Sequence, residues 1–285
     1  MQYTTLIGAA ALANHLDDPR WVVIDCRHDL AQPDAGRSAY EAGHIPSARF
    51  AHLDTDLSDK RPAPDGSFRG RHPLPERAAF AETLRGWGVN QDSQVVAYDA
   101  HGGMFAARLW WMLRWAGHEA VAVLDGGIAA WTAIGQPLST ERPAPSPGNF
   151  ELRAPLERTV DATRLVANLA QPELAVIDAR APDRFRGENE TLDPVGGHIP
   201  GARNRFFKDN LLPDGRFKPA ARLAAEFADL VKQPEQAVMQ CGSGVTACHN
   251  LLALCVAGMG GAALYPGSWS EWCADRSRPV ASGDQ

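Results

Sequence analysis

Short runs of apolar, largely β-branched residues recur along the chain, and longer segments with helical periodicity separate them. The runs are W-V-V-I-D, S-Q-V-V-A-Y-D and A-V-A-V-L-D in the first half, then L-A-V-I-D and Q-A-V-M-Q-C in the second. The segment P-E-R-A-A-F-A-E-T-L-R-G-W-G is typical of the helices between them. Continuous apolar strands alternating with helices predict a mainly parallel sheet with helices on both faces. The predicted fold class is therefore α/β in each half of the chain.

The two halves of the chain repeat one another, and such a repeat predicts the number of domains. V-V-I-D-C-R at 22–27 matches A-V-I-D-A-R at 175–180. A-G-H-I-P-S-A-R at 42–49 likewise matches G-G-H-I-P-G-A-R at 196–203. Two tandem domains of the same fold are therefore expected.

A Pro-rich stretch between the copies gives the predicted domain boundaries. Its sequence, Q-P-L-S-T-E-R-P-A-P-S-P-G-N, is typical of an extended linker. We expect an amino-terminal domain at 1–138, a linker at 139–158 and a carboxy-terminal domain at 159–285. The first domain also contains an extra segment, D-T-D-L-S-D-K-R-P-A-P-D-G-S-F-R-G-R-H-P, that has no counterpart in the second.

Composition and charge narrow the classes of function. The chain has 285 residues, with 28 Lys and Arg against 34 Asp and Glu, and a formal net charge of −6. No overall positive field favours nucleic acid or anionic lipid as a partner, so a small anionic substrate would need locally placed arginines. No apolar run is long enough to span a membrane, and the first residues lack the pattern of a secretory signal. A soluble, cytoplasmic protein without a membrane partner is expected.

The cysteines predict a reducing compartment and one residue of special interest. Five cysteines without a C-x-x-C pair argue against a disulfide framework. The spacing of Cys241, Cys248 and Cys255 is too wide for the usual zinc clusters, so neither a metal nor a cofactor is expected. Cys26, Cys248, Cys255 and Cys273 are interpreted as small buried hydrophobic residues.

The strand, loop and helix around Cys241 form the candidate site. A-V-M-Q is followed by C-G-S-G-V-T-A and then by an apolar helical pattern that ends at Gly258. In parallel sheets ligands bind beyond the carboxyl ends of the strands, where Cys241 and, in the first copy, Asp99 are expected. Gly242 and Gly244 allow the loop to turn its backbone N–H groups inward, and this ring with the helix dipole stabilises an anion. That anion can be the Cys241 thiolate or part of a substrate.

Two copies of D-x-R followed by G-H-I-P accompany C-G-S-G-V-T-A, and G-S-W-S-E-W stands near the end of the chain. This set of motifs resembles the tandem-domain rhodanese superfamily, and within it the 3-mercaptopyruvate sulfurtransferases, over nearly the whole chain. The resemblance implies two rhodanese-like domains, of which the second is catalytic and carries Cys241 as a persulfide. The sequence agrees, because the first copy has Asp99 where the second has the nucleophile.

Sulfur transfer assigns expected roles to the loop and its partners. The thiolate attacks the sulfur of a donor, the donor leaves as an anion, and the sulfur stays on Cys241 until a second nucleophile removes it. Gly242, Gly244, Val245 and Thr246 are expected to bind substrate through the loop, whose N–H groups stabilise the developing charge. The expected partners are a small anionic sulfur donor and a thiol acceptor such as thioredoxin or a small thiol.

Arginine is the expected ligand for the donor, because its planar guanidinium is always charged and binds carboxylates bidentately. By resemblance, Arg184 in R-F-R-G corresponds to the substrate-binding arginine of the family, and Arg186 is a second candidate. Mercaptopyruvate enzymes of animal type carry a further arginine before G-H-I-P, where this chain reads E-N-E-T-L-D-P-V-G-G. Arg186 or Arg203 is the candidate to replace it.

Residues that stand at matching places in both copies are expected to serve the fold. Arg180 matches Arg27, and His198 matches His44. Because the first copy lacks the nucleophile, a residue shared by both copies is not specific to the chemistry.

The resemblance also implies a Ser–His–Asp relay for proton transfer. Ser243 fits the serine, His72 in R-H-P-L-P the histidine, and Asp56 in D-T-D-L-S-D the acid. A positioned histidine is a suitable proton donor to a leaving enolate near neutral pH. The alternative interpretation is an ordinary surface loop with capping aspartates.

Several other functions stay open at this level. A cysteine-dependent phosphatase or arsenate reductase needs an arginine that closes the loop, but position 247 is alanine. A non-catalytic sulfur carrier or redox sensor would use the same persulfide. A Cys–His hydrolase has only His249 near the motif, and its helical position favours packing. The choice of sulfur donor also stays open. Thiosulfate, the donor of a thiosulfate:cyanide sulfurtransferase (rhodanese), is a dianion. Because Gly242 and Ser243 are neutral, the loop favours the singly charged mercaptopyruvate.

Overall fold

The structure is a computed structural model and describes residues 2–284. The chain divides into two compact units. The first contains the chain up to Asp59, Pro75–Leu156 and Leu211–Phe217, and the second contains Lys60–Leu74, Glu157–Asn210 and the chain from Lys218 onward. Much of the extra segment of the first copy thus clusters with the second unit, whereas the Pro-rich segment clusters with the first. The domain boundaries predicted above stay a proposal.

The first unit contains a five-stranded parallel sheet with helices packed against it. Its strands are β1 (Leu6–Ile7), β2 (Trp21–Asp25), β3 (Arg49–Phe50), β4 (Gln94–Tyr98) and β5 (Val121–Leu124). Its helices are α1 (Ala9–Ala13), α2 (Ala35–Ala42), α3 (Arg77–Gly86), α4 (Ala106–Trp115) and α5 (Gly127–Ala133). The strand order is β1-β5-β4-β2-β3. Every residue of β2 and β4 is buried, as their uninterrupted apolar sequences predict.

The second unit repeats this arrangement. Its strands are β6 (Arg158–Thr159), β7 (Ala175–Asp178), β8 (Arg203–Asn204), β9 (Ala237–Gln240) and β10 (Ala263–Leu264). Its helices are α6 (Ala162–Ala170), α7 (Pro182–Arg186), α8 (Ala220–Phe227), α9 (Ala247–Val256) and α10 (Ser268–Ala274), with 3-10 turns at Phe207–Asn210 and Pro234–Gln236. The strands are parallel in the order β6-β10-β9-β7-β8. The predicted α/β fold, present twice, is confirmed.

Helix α9 follows the candidate loop and ends as the sequence predicts. The helix stops at Val256, and Gly258 has φ +74°, the left-handed conformation that glycine adopts at little cost. The backbone N–H of Met259 donates to the carbonyl of Leu254 at 2.8 Å, which satisfies one of the last carbonyl groups of the helix. The carboxyl end of α9 is therefore closed by a glycine turn, as the sequence predicts.

Each sheet carries a buried ion pair at the carboxyl end of a central strand. Arg27 donates to Asp25 at 2.6 Å, and Arg180 donates to Asp178 at 2.6 Å. In both units the same guanidinium also donates, at 2.7 Å, to the carbonyl of the glycine that opens G-H-I-P. The expectation that these arginines serve the fold is confirmed, because they join a strand end to the same turn in both copies.

The two shared histidines also have the same structural role. The Nδ1–H of His44 donates to the carbonyl of Tyr40 at 2.7 Å, and that of His198 donates to the carbonyl of Phe185 at 2.8 Å. Each imidazole stacks on the aromatic ring of its partner, with centroids 3.9 and 3.8 Å apart. Both histidines are fully buried, so they fix the G-H-I-P turn rather than face a substrate.

The remaining cysteines fit a packing role with one exception. Cys26, Cys248 and Cys273 are buried, whereas Cys255 is partly exposed. Burial raises the pKa of the Cys273 thiol to about 11, which disfavours its thiolate. Within residues 2–284, no helix has the length and apolar character needed to cross a membrane.

Candidate active site

Cys241 lies directly after β9, and its backbone is tied to the start of α10. The N–H of Cys241 donates to the hydroxyl of Ser268 at 3.0 Å, and its carbonyl accepts the N–H of Trp269 at 2.9 Å. The next carbonyl, that of Gly242, accepts the N–H of Ser270 at 3.0 Å. The residues of G-S-W-S-E-W therefore hold the first part of the loop in place. The Cys241 residue is 2 % exposed.

Gly244 shows why the loop needs glycine at its centre. Its φ is +78°, and a Cβ at this position would lie 2.3 Å from the carbonyl oxygen of Pro266. A side chain would therefore meet both backbone strain and a fixed backbone atom. Next along the loop, the carbonyls of Val245 and Thr246 accept N–H groups of the first turn of α9, both at 3.1 Å. Their predicted part in substrate binding stays a prediction.

Two guanidinium groups lie beside Gly242. A Cβ on Gly242 would stand 2.9 Å from Nη2 of Arg71 and 3.5 Å from Nη1 and Nη2 of Arg184. The absence of a side chain on Gly242 thus leaves room for two guanidinium groups beside the residue that follows Cys241. Arg184 was expected here, whereas Arg71 was not.

Arg71 could have been found from its neighbour in the sequence. His72 was expected near the loop, and a residue adjacent to it in R-G-R-H-P is carried to the same place. The backbone N–H of Arg71 donates to the hydroxyl of Ser270 at 3.1 Å, which anchors this segment to α10. The sequence did not show which of the arginines in the segment has this position, because that depends on how the segment packs.

Both site arginines are held by carboxylates. Arg184 donates to Glu190 through Nε at 3.1 Å and through Nη2 at 2.9 Å. Arg71 donates through Nη1 to Asp193, whose other oxygen lies 3.5 Å from Nη2 of Arg184. Glu190 and Asp193 belong to E-N-E-T-L-D-P, so this segment brings carboxylates to the site instead of an arginine.

The structure does not bring Arg186 or Arg203 to the loop. Arg186 forms two hydrogen bonds with Glu188, at 2.9 and 2.8 Å, in a partly exposed ion pair. Arg203 donates to the carbonyl of Asp229 at 2.5 Å on the surface. The second guanidinium of the site is that of Arg71, because the segment before His72 reaches Gly242.

Ser243 and His72 are brought together. The hydroxyl of Ser243 lies 2.8 Å from Nδ1 of His72, and both residues are 6 % exposed. His72 belongs to Lys60–Leu74, which clusters with the second unit. Asp56 lies in the first unit, where its carboxylate accepts the backbone N–H of His52 at 2.7 Å and burial raises its pKa. The part of Asp56 in a relay stays a prediction.

Arg180 forms a buried ion pair with Asp178 in the same unit as Cys241. Burial alone would lower the pKa of Arg180, but the charge and hydrogen bonds of Asp178 raise it, and the charge of Glu190 acts in the same direction. The guanidinium also packs 4.8 Å from the ring centre of Trp269, which holds it in place.

The loop after β4 in the first unit matches the Cys241 loop and shows how the backbone of such a loop binds an anion. The carboxylate of Asp99 accepts four backbone N–H groups. Oδ1 accepts from His101 at 2.8 Å and Gly103 at 2.9 Å, and Oδ2 accepts from Phe105 at 2.8 Å and Ala106 at 3.0 Å. Asp99 is completely buried, so its negative charge is stabilised by these N–H groups and the start of α4.

His249 and Ala247 bear on two of the alternative functions. The amide of Asn210 donates to Nδ1 of His249 at 3.2 Å, and Phe207 packs edge-to-face against the buried imidazole. The interpretation of His249 as a packing residue is thereby confirmed. Position 247, the first residue of α9, is alanine, so no guanidinium stands where a phosphatase loop needs one.

Comparison with known proteins identifies the family. The sequence model of the family described as "Rhodanese-like domain" matches residues 8–134 and 161–275. A Pseudomonas aeruginosa protein named "Probable 3-mercaptopyruvate sulfurtransferase" is 50% identical over 287 residues and covers 100% of both chains. Mouse thiosulfate sulfurtransferase is 34% identical and covers 95% of this chain and 92% of its own.

A solved structure agrees with both the sequence and the fold. The crystal structure of SseA from Escherichia coli, described as a 3-mercaptopyruvate sulfotransferase, has a TM-score of 0.80 at 36% identity. The match covers 94% of this chain and 100% of that chain. The chain therefore belongs to the rhodanese family of sulfurtransferases, in the form with two rhodanese-like domains.

Proposed function

We propose that this enzyme takes sulfur from 3-mercaptopyruvate, carries it as a persulfide on Cys241 and passes it to a thiol. The observation that carries this proposal is the surroundings of the loop. Arg71 and Arg184 flank Gly242, and Ser243 is hydrogen-bonded to His72 at 2.8 Å. The two arginines can bind a carboxylate, and His72 can give a proton to the leaving group. This combination suits a 2-oxo acid as the source of the sulfur. The names of the P. aeruginosa and E. coli relatives support the same donor.

The Asp99 loop supports the persulfide intermediate. The terminal sulfur of a cysteine persulfide is separated from Cα by the same number of bonds as a carboxylate oxygen of aspartate, and both groups are anionic. In the first unit the loop binds such an anion with four N–H groups. A persulfide on Cys241 would occupy the matching place in the second unit, where the start of α9 adds its favourable dipole.

The first half of the reaction needs one anion site and one proton. The thiolate of Cys241 attacks the donor sulfur, the carbon–sulfur bond breaks, and its electron pair passes to the enolate of pyruvate. The guanidinium groups of Arg71 and Arg184 bind the donor carboxylate. His72, acting through Ser243, supplies the proton that converts the enolate to pyruvate.

The second half of the reaction restores the enzyme. An acceptor thiolate attacks the terminal sulfur, the sulfur–sulfur bond breaks, and Cys241 leaves as a thiolate. The acceptor carries the sulfur away as its own persulfide. A thiol acceptor such as thioredoxin or a small thiol fits a reducing cytoplasm, and both the acceptor and this location are part of the proposal.

Thiosulfate is the second candidate donor. Mouse thiosulfate sulfurtransferase is similar to this chain over most of its length, and two guanidinium groups also suit a sulfur oxyanion. The neutral Gly242 and Ser243 add no further cation to bind a dianion. Thiosulfate is therefore proposed as the weaker donor.

Two measurements test the proposal. The intact mass after treatment with 3-mercaptopyruvate should increase by one sulfur atom, and a thiol should remove the increase. Cys241→Ser should abolish both the mass increase and turnover, whereas Cys255→Ser, at a partly exposed cysteine outside the loop, should retain both. Turnover without the sulfur adduct would contradict the persulfide, and failure to release pyruvate would contradict the donor.

A further inference from the structure

The segment E-N-E-T-L-D-P places two carboxylates at the arginines of the site. The side chains of Glu190 and Asp193 are each 3% exposed. Asp193 contacts both site arginines, since it pairs with Nη1 of Arg71 and lies 3.5 Å from Nη2 of Arg184. Asp193 therefore lies between the two guanidinium groups beside Gly242, whereas Glu190 pairs with Arg184 and Arg180.

The carboxylates also orient the arginines. In Arg71, Nη1 is used by Asp193 while Nη2 lies beside Gly242. In Arg184, Nε and Nη2 bind Glu190, while Nη1 and Nη2 both lie 3.5 Å from the place that a Cβ on Gly242 would take, so Nη1 is left for another ligand. Each guanidinium thus binds an acidic side chain on one edge and faces the loop with another nitrogen.

The charges around the nucleophile cancel. The guanidinium groups are those of Arg71, Arg180 and Arg184, and the carboxylates that pair with them are those of Asp178, Glu190 and Asp193. Burial alone would raise the pKa of Glu190, but hydrogen bonds from Arg184 and from backbone N–H groups lower it, so this carboxylate is ionised. The thiolate that the proposed reaction requires at Cys241 would add one further negative charge to this balanced set.

We infer that Asp193 is a specificity-determining residue that favours a singly charged donor over a doubly charged one. The inference rests on the proposed sulfur transfer and deepens it. A fixed negative charge between the two arginines raises the energy of a bound dianion by about twice as much as that of a monoanion. Asp193 therefore favours the carboxylate of a 2-oxo acid, which carries one negative charge, over thiosulfate, which carries two.

The variant Asp193→Asn tests this inference because it keeps the shape of the side chain and removes its charge. The preference between the two donors is measured as a ratio, kcat/KM with thiosulfate divided by kcat/KM with 3-mercaptopyruvate, at fixed pH and low ionic strength. We expect the variant to raise this ratio about tenfold, which corresponds to one unit of charge acting at short range in a partly shielded site. Added salt should reduce the difference between variant and wild type.

Two matched variants separate charge from structure. Asp193→Glu keeps the charge and should keep the wild-type ratio, even if both rates fall. Glu188→Gln removes a partly exposed carboxylate of the same segment, whose partner is Arg186, and should leave the ratio unchanged. If Asp193→Asn does not fold, Glu190→Gln removes one charge from the other carboxylate of the cluster and should shift the ratio in the same direction.

The outcomes distinguish this inference from the proposed function. Wild-type enzyme that turns over neither donor would overturn the proposed function. Wild-type enzyme that turns over 3-mercaptopyruvate, with an unchanged ratio in the folded Asp193→Asn variant, would overturn only the inference. A uniform loss with both donors would likewise overturn it, because it would assign Asp193 to holding Arg71 alone.

Discussion

The hydrogen bond between Ser243 and His72 joins the loop that follows Cys241 to an imidazole, a side chain that can act as a general acid or base. Ser243 is two residues after Cys241, and its hydroxyl lies 2.8 Å from Nδ1 of His72. Both side chains are almost completely buried, so the pair is shielded from bulk water. This geometry suits delivery of a proton to a leaving group that forms next to the nucleophile.

His72→Asn should therefore affect the two donors differently. Pyruvate leaves as a basic enolate that needs a proton, whereas sulfite leaves thiosulfate as a stable anion. We expect kcat with 3-mercaptopyruvate to fall by about 10²–10⁴-fold, the usual contribution of general acid catalysis, and kcat with thiosulfate to change much less. Steady-state rates with both donors measure the difference.

His101→Asn is the matched control for this variant. His101 is an exposed histidine in the corresponding loop of the first unit, which has Asp99 in place of a nucleophile. Its removal should leave both rates unchanged. Equal losses with both donors in His72→Asn would mean that His72 only supports the loop.

At the scale of the element, the loop between β9 and α9 depends on backbone geometry more than on side-chain chemistry. The sequence shows a continuous apolar strand pattern before the loop and a helical pattern after it, and both elements are present. What the pattern did not show is that Gly244 turns directly against the carbonyl of Pro266. That contact arises between segments distant in the chain, so local sequence carries no signal for it.

Gly244→Ala should destabilise the second unit and abolish sulfur transfer. Left-handed backbone costs a non-glycine residue about 1–2 kcal/mol, and the Cβ at 2.3 Å from the Pro266 oxygen adds a steric clash. Gly258→Ala is the control, because its φ of +74° is similar but nothing lies within 4 Å of its Cβ. Chemical denaturation should show a larger loss for Gly244→Ala, and only this variant should lose activity. Equal losses of stability would contradict the role of the Pro266 contact.

At the scale of the whole molecule, an ion-pair cluster on α8, away from the site, contributes to stability in acid. Glu226 on α8 accepts hydrogen bonds from Lys218, Arg205 and Arg222. Burial alone would raise the pKa of Glu226, but these cations lower it from 4.5 to about 2. As the pH falls, the unfolded chain binds this proton first, so the stabilisation is present above pH 4.5 and is lost between about pH 4.5 and 2.

Glu226→Gln should lower the free energy of unfolding by about 1–3 kcal/mol at neutral pH, a range reduced for partial solvent exposure. The gap between wild type and variant should close as the pH falls from 4.5 toward 2. Denaturation midpoints at several pH values measure this. Glu173→Gln removes an exposed carboxylate paired with Arg164 and should change little. A gap that does not depend on pH would contradict the assigned ion pairs.

The sequence by itself determined the duplicated α/β fold, the buried strands, the place of Cys241 at a strand end and the structural role of the shared arginines and histidines. These follow from local pattern and from comparison of the two copies, which separates residues of the fold from residues of the chemistry. Only the tertiary structure decided that Arg71 rather than Arg186 accompanies Arg184, and that Asp193 lies between the two site arginines. The charge around the nucleophile is set by segments that are far apart in the chain, and their approach depends on packing that no local pattern encodes.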